Sequence, residues 1–124
     1  MNSRFRKLAV ESLEGRSVLS TVALADFNGD GHLDMATVTN PTTITVSLFD
    51  PADGGYDVSA ILTTSKGQPI EGFSVFDADQ DGDPDIGSAT PKGDAWNLHQ
   101  WLNNGDGTFG ARTTTRWKPP KWWV

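Results

Sequence analysis

Hydrophobic and polar positions along this chain alternate over short segments bounded by turn-forming residues. Val22 and Leu24 fall on one face of a first alternating segment, and Phe73 and Val75 fall on the corresponding face of a second. Period-two alternation of this kind marks a strand. Each segment runs into an acidic loop and then into a β-leaning stretch, Leu33-Asp34-Met35-Ala36-Thr37-Val38-Thr39 or Asp85-Ile86-Gly87-Ser88-Ala89-Thr90. Each loop therefore joins two strands. Asn40-Pro41, Asp53-Gly54-Gly55, Lys66-Gly67-Gln68-Pro69, Pro91-Lys92-Gly93-Asp94 and Asn104-Gly105-Asp106-Gly107 punctuate the chain with turn chemistry. Residues 1–17 depart from this pattern: Phe5, Leu8, Ala9 and Leu13 share one face of a short amphipathic helix that Gly15 would end.

The two acidic loops are copies of each other, Asp26-Phe27-Asn28-Gly29-Asp30-Gly31-His32-Leu33-Asp34 and Asp77-Ala78-Asp79-Gln80-Asp81-Gly82-Asp83-Pro84-Asp85. Oxygen-bearing side chains stand at positions one, three, five and nine, with glycine at six where the backbone turns sharply. That arrangement suits Ca²⁺, a hard cation that takes about six to eight oxygens. An EF-hand begins in the same way but closes with a bidentate glutamate at position twelve between two helices. Here position twelve is Thr37 or Ser88, and strands flank the loop. The plain alternative is a pair of Asp-Gly hairpin turns.

These residues resemble the FG-GAP or VCBS repeats of integrin-α-like β-propellers, whose blades carry a strand–loop–strand signature of the same spacing. The copies align without gaps from Asp26–Thr39 to Asp77–Thr90, a period of about fifty residues, which is in the range of propellers and solenoids. Trp101-Leu102-Asn103-Asn104-Gly105-Asp106-Gly107-Thr108-Phe109-Gly110 is similar to the hairpin that follows the calcium loop in such repeats, and residues 48–56 occupy its place in the first copy. The resemblance implies an all-β fold of two four-stranded antiparallel blades over about 18–66 and 70–116. The strands would be 18–26, 33–39, 43–49 and 57–63, then 71–77, 85–90, 96–102 and 109–115. It implies two Ca²⁺ sites. The first would use Asp26, Asn28, Asp30, the His32 carbonyl and Asp34; the second would use Asp77, Asp79, Asp81, the Asp83 carbonyl and Asp85. Four carboxylates against three make the second the tighter site. The second loop departs from the family at Gln80, where glycine is usual, and at Pro84, where a branched apolar residue is usual. Asp106 reads as a turn residue and not a third site. Residues 5–20 also resemble the leader found ahead of large bacterial extracytoplasmic repeat proteins, which stands beside the helical reading.

Two blades do not close a propeller of about four to eight. Further blades could come from oligomerisation into a ring or from a longer protein; otherwise the two pack face to face as a sandwich. The net charge of −6 over 124 residues is uneven. Arg4, Arg6, Lys7 and Arg16 against Glu11 and Glu14 give the first sixteen residues +2, leaving −8 for the rest. The loops hold eight aspartates, so acidity belongs to the sites. A nucleic-acid partner is disfavoured. There is no cysteine to form a disulfide or thiolate site, and no run approaches the ~20 apolar residues of a transmembrane helix.

Signatures of common enzymes are absent: no G-x-S-x-G, H-E-x-x-H or G-x-x-x-x-G-K-[ST] occurs. His99 reads as a sheet residue, and carboxylates neutralised by calcium cannot also exchange protons. The tail over 117–124, with Trp117, Trp122 and Trp123, either covers an open blade face or joins Trp96 and Trp101 in a lectin-like surface. The expectation is a non-enzymatic, calcium-stabilised structural or adhesion module, secreted or at the cell surface, meeting an extracellular protein or polysaccharide. A carbohydrate-binding module is the alternative.

Overall fold

The computed structural model describes residues 21–120, so the leader-like segment 1–17 and residues 121–124 of the tail lie outside the described residues. The described chain is all-β, in two antiparallel four-stranded sheets. The first is β1 (Val22–Ala25), β2 (Asp34–Asn40), β3 (Thr43–Asp50) and β4 (Gly55–Thr63), and the second is β5 (Gly72–Phe76), β6 (Asp85–Lys92), β7 (Ala95–Trp101) and β8 (Thr113–Trp117). Both sheets are simple meanders in chain order. Seven of the eight strands fall within a few residues of the sequence expectation. The eighth begins later, because Asn103 pairs with Phe109 in an isolated bridge that closes the hairpin tip before the sheet resumes at Thr113. Trp117 is thereby the end of a strand, opposite Trp96.

The manner in which the sheets pack follows from which face of each enters the core. Ala36, Ile44, Val46 and Leu62 of the first sheet meet Ile86 and Trp101 of the second, with Val38, Phe73 and Val75 packed around them. Adding the repeat offset of fifty-one carries Ala36 and Val38 onto Gly87 and Ala89. Ala89 belongs to a separate cluster with Leu98, Phe76, Trp96 and Trp117 on the opposite face of the second sheet. The front of the first blade therefore packs on the back of the second. Equivalent faces do not meet, so the sandwich arrangement is replaced by stacking in the propeller sense. The first strands of the two sheets, β1 and β5, lie beside each other.

This offset explains a difference in burial between equivalent residues. Phe73 and Val75 pack into the shared core, whereas their counterparts Val22 and Leu24 are 44% and 57% exposed. Ile61 and Val58 lie on that same outward face of the first blade and are also exposed. Polar ties flank the apolar contact. Ser59 Oγ donates to the Gly107 carbonyl at 2.9 Å, and Arg112 donates to the Thr63 carbonyl at 2.7 Å and to Ser65 Oγ at 2.9 Å.

Deleting a fully buried side chain costs its transfer free energy plus that of the cavity left behind. Ile86→Ala should lower stability in chemical unfolding by about 2–5 kcal/mol. Met35→Ala, at the equivalent position of the first blade, should cost less than about 1 kcal/mol because among the described residues no blade lies upon that face.

Candidate metal centre

Each acidic loop leaves one strand, turns on glycine and returns through a buried aspartate. Carboxylate oxygens of Asp77, Asp79, Asp81 and Asp85 lie within 4.8 Å of one another, as do those of Asp26, Asp30 and Asp34. The structure thus brings together seven of the ten residues named from the sequence by their carboxylates. Asn28 lies in the same turn, its Oδ1 accepting the Asp30 amide at 3.4 Å. His32 is exposed, with its ring tilted against that of Phe49 at a centroid distance of 5.5 Å. The Asp83 carboxylate lies outside the converging four and against Gly105.

The position-one aspartates organise the turn. Asp26 accepts from the Gly29, Asp30 and Gly31 amides at 2.9, 3.2 and 2.8 Å. The Gly31 bond, with its neighbours, holds the Asp26 carboxyl below the ordinary range. Asp77 repeats this with the Asp81 and Gly82 amides at 3.2 and 2.9 Å. Position five completes the curl: Asp30 Oδ1 accepts the His32 amide and Asp81 Oδ1 the Asp83 amide, both at 2.9 Å.

The position-nine aspartates are fully buried. Asp34 accepts the Phe27 amide at 2.9 Å and the Phe49 amide at 2.8 Å, and Asp85 accepts the Ala78 and Asn103 amides, both at 2.8 Å. Burial is the main cause that pushes the Asp85 carboxyl up to about 6, with Asp79 and Asp81 adding repulsion against its amide bonds. Asp79 is raised as well, by desolvation and then by its contact with Asp81. These donors fit a hard cation: they are oxygens only, converge on one point and carry uncompensated charge. Among the described residues the one ion pair is between Lys118 and Asp94, neither of which belongs to an acidic loop.

Sequence reasoning missed two features. Gln80 adopts φ of 58°, the sole non-glycine residue with positive φ among those described, at the position where the first loop has Gly29 with φ of 74°. The glycine usual at position four answers a left-handed backbone, and its departure in the second loop was the available signal. The other feature is Asn103, whose side chain reaches both loops. Trp101, by contrast, is 3% exposed within the inter-blade core, so it contributes nothing to a lectin-like face.

The FG-GAP-like repeat pattern matches residues 26–88, just over half of the chain. The chain belongs to the FG-GAP-like repeat family. No curated protein and no solved structure matches it. FG-GAP-like repeats are structural, adhesion-type modules that typically occur in extracellular domains. Among the described residues no helix is long and apolar enough to cross a membrane.

The left-handed backbone costs a non-glycine residue roughly 1 kcal/mol or more. Gln80 is exposed, so Gln80→Gly should stabilise the protein by about 1 kcal/mol in chemical unfolding.

The buried titratable groups oppose each other. Asp85, raised on folding, stabilises the fold below its unfolded value, and that contribution is lost as pH rises through about 6. His99 is buried between Thr90 and Thr114, and burial lowers it to about 4. Its contribution is complete above 6.5 and lost as pH falls toward 4. Removing the second effect exposes the first. In EDTA, His99→Gln should melt at a higher temperature near pH 5 than near pH 7.5, a trend weaker or reversed in the unsubstituted protein.

Proposed function

We propose that the two loops bind Ca²⁺ and that the cation turns two repelling carboxylate clusters into rigid strand-to-strand corners. The module is then a non-enzymatic structural or adhesion element working outside the cytoplasm. The observation that carries this reading is the convergence of Asp77, Asp79, Asp81 and Asp85, and of Asp26, Asp30 and Asp34, each within 4.8 Å. Like charges at that spacing repel one another and loosen the loop; a divalent cation removes the repulsion without removing the oxygens.

The His32 and Asp83 carbonyls and the Asn28 amide would complete the oxygen set. Because the site is assembled by folding, binding free energy becomes folding free energy. At free calcium a hundredfold above the dissociation constant, one site adds ~2.7 kcal/mol, a substantial share of the ~5–15 kcal/mol typical of a domain. Extracellular modules function at dissociation constants of about 0.1–1 mM, so calcium outside the cell would keep these corners formed.

Thermal melting across a calcium titration, with EDTA and magnesium controls, tests this reading. Millimolar calcium should raise the melting temperature by several degrees and magnesium by much less, because magnesium demands tighter octahedral geometry and gives up its water reluctantly. Asp30→Ala and Asp81→Ala should each remove part of the rise. A melt indifferent to calcium would leave the loops as turns alone.

A further inference from the structure

We infer that Asn103 couples the two loops, so that ordering one by a cation orders the other and the two fill with positive cooperativity. The inference rests on the reading of both loops as calcium sites and assigns a positioning residue that belongs to neither. Asn103 is 4% exposed. Its Nδ2 donates to the Phe27 carbonyl at 2.8 Å and to the Pro84 carbonyl at 3.0 Å. Phe27 is the second residue of the first loop, and Pro84 is the eighth of the second. Its Oδ1 accepts the Gly105 and Gly107 amides at 2.8 and 3.3 Å. Both amide donors and the carbonyl acceptor are thus engaged.

The backbone completes the path. The Asn103 amide donates to Asp85 Oδ1 at 2.8 Å, and the Phe27 amide donates to Asp34 Oδ2 at 2.9 Å. A continuous run therefore leads from the Asp34 carboxylate through the Phe27 backbone and Asn103 to the Asp85 carboxylate, joining the position-nine aspartates of the two loops. Phe27, Asp34 and Asp85 are at most 1% exposed. In such surroundings a polar group that loses its partner is not rescued by water, so the members shift together or not at all.

A second coupling has the opposite sign. A cation in one loop weakens the negative field that draws a cation to the other. Salt screens that term, whereas the hydrogen-bonded path is insensitive to it. Raising the salt concentration should make the measured coupling more positive.

A calcium titration followed by NMR at the Gly31 and Gly82 amides reads each loop separately. Disabling the second loop with Asp81→Ala should weaken calcium binding at the first by about fivefold or more, the lower end of measured site-to-site couplings. Asp30→Ala should weaken the second by the same factor, since linkage is reciprocal. Asn103→Asp keeps the acceptor for Gly105 and Gly107 but loses the donor to Phe27 and Pro84. In that background, and in Asn103→Ser, which introduces no charge, disabling one loop should no longer weaken the other, since only the opposing electrostatic term remains. Equal factors with and without Asn103, or no factor in either, overturn the inference.

Hydrogen exchange in EDTA separates this outcome from failure of the calcium reading. Asp85→Ala should accelerate exchange at Gly31 relative to Val46 in the sheet core, and should add nothing in the Asn103→Asp background. If neither loop takes calcium, the site reading fails and this comparison alone decides the coupling. Gly31 exchange indifferent to Asp85→Ala would overturn it.

Discussion

Two buried carboxylates, Asp34 and Asp85, fix the point at which each loop rejoins its sheet, and most other features take their place from that. Each accepts two backbone amides, one from the second residue of its own loop and one from the third strand's far end, Phe49 within β3 or Asn103 just past β7. An ionised carboxylate can satisfy both amides at once, where an amide side chain would set a donor against one of them. The cost of burying that charge is visible at Asp85, whose carboxyl is pushed up to about 6. The fold holds a charged corner in an apolar setting and surrounds it with hydrogen bonds.

The same corner explains why loop and sheet cannot be treated apart. Asp26 and Asp77 curl the backbone by accepting amides along the turn, while Asp34 pins the turn to the third strand and Asp85 pins it just past that strand's end. A cation shared by positions one, five and nine would touch both the curl and the pin. Loop geometry, strand pairing and inter-blade packing then become one cooperative unit, with Asn103 between the two copies.

Much of this was legible in the sequence because its signals are local. Alternation placed the strands, glycine and asparagine placed the turns, and the spacing of aspartates placed the loops. What escaped was set by contacts between blades. Val22 and Leu24 carry the same apolar pattern as Phe73 and Val75, and nothing local distinguishes the pair that is covered from the pair that is exposed. Trp101 alternates as a surface residue would, yet it lies opposite Ile86 at the seam of the two sheets. The late start of β8 depends on the Asn103–Phe109 bridge, and the reach of Asn103 to Phe27 spans seventy-six residues of chain. Gln80 shows the reverse case: a local departure from glycine was readable, but its meaning needed the backbone angle.

Front-to-back packing has a symmetry consequence. An interface between unlike faces is heterologous: it uses one surface on each partner and always leaves the other for a next unit, so it contains no internal stop. Applied again, the operation that carries β1–β4 onto β5–β8 generates a ring if its rotation closes and a helical filament if it does not. The number of blades in any such assembly is thus a property of one rotation angle, already fixed by how Ala36 and Val46 sit against Ile86 and Trp101. Small changes in the volume of those four side chains would act as changes of pitch, altering what the repeat can close into before they altered whether a blade can fold.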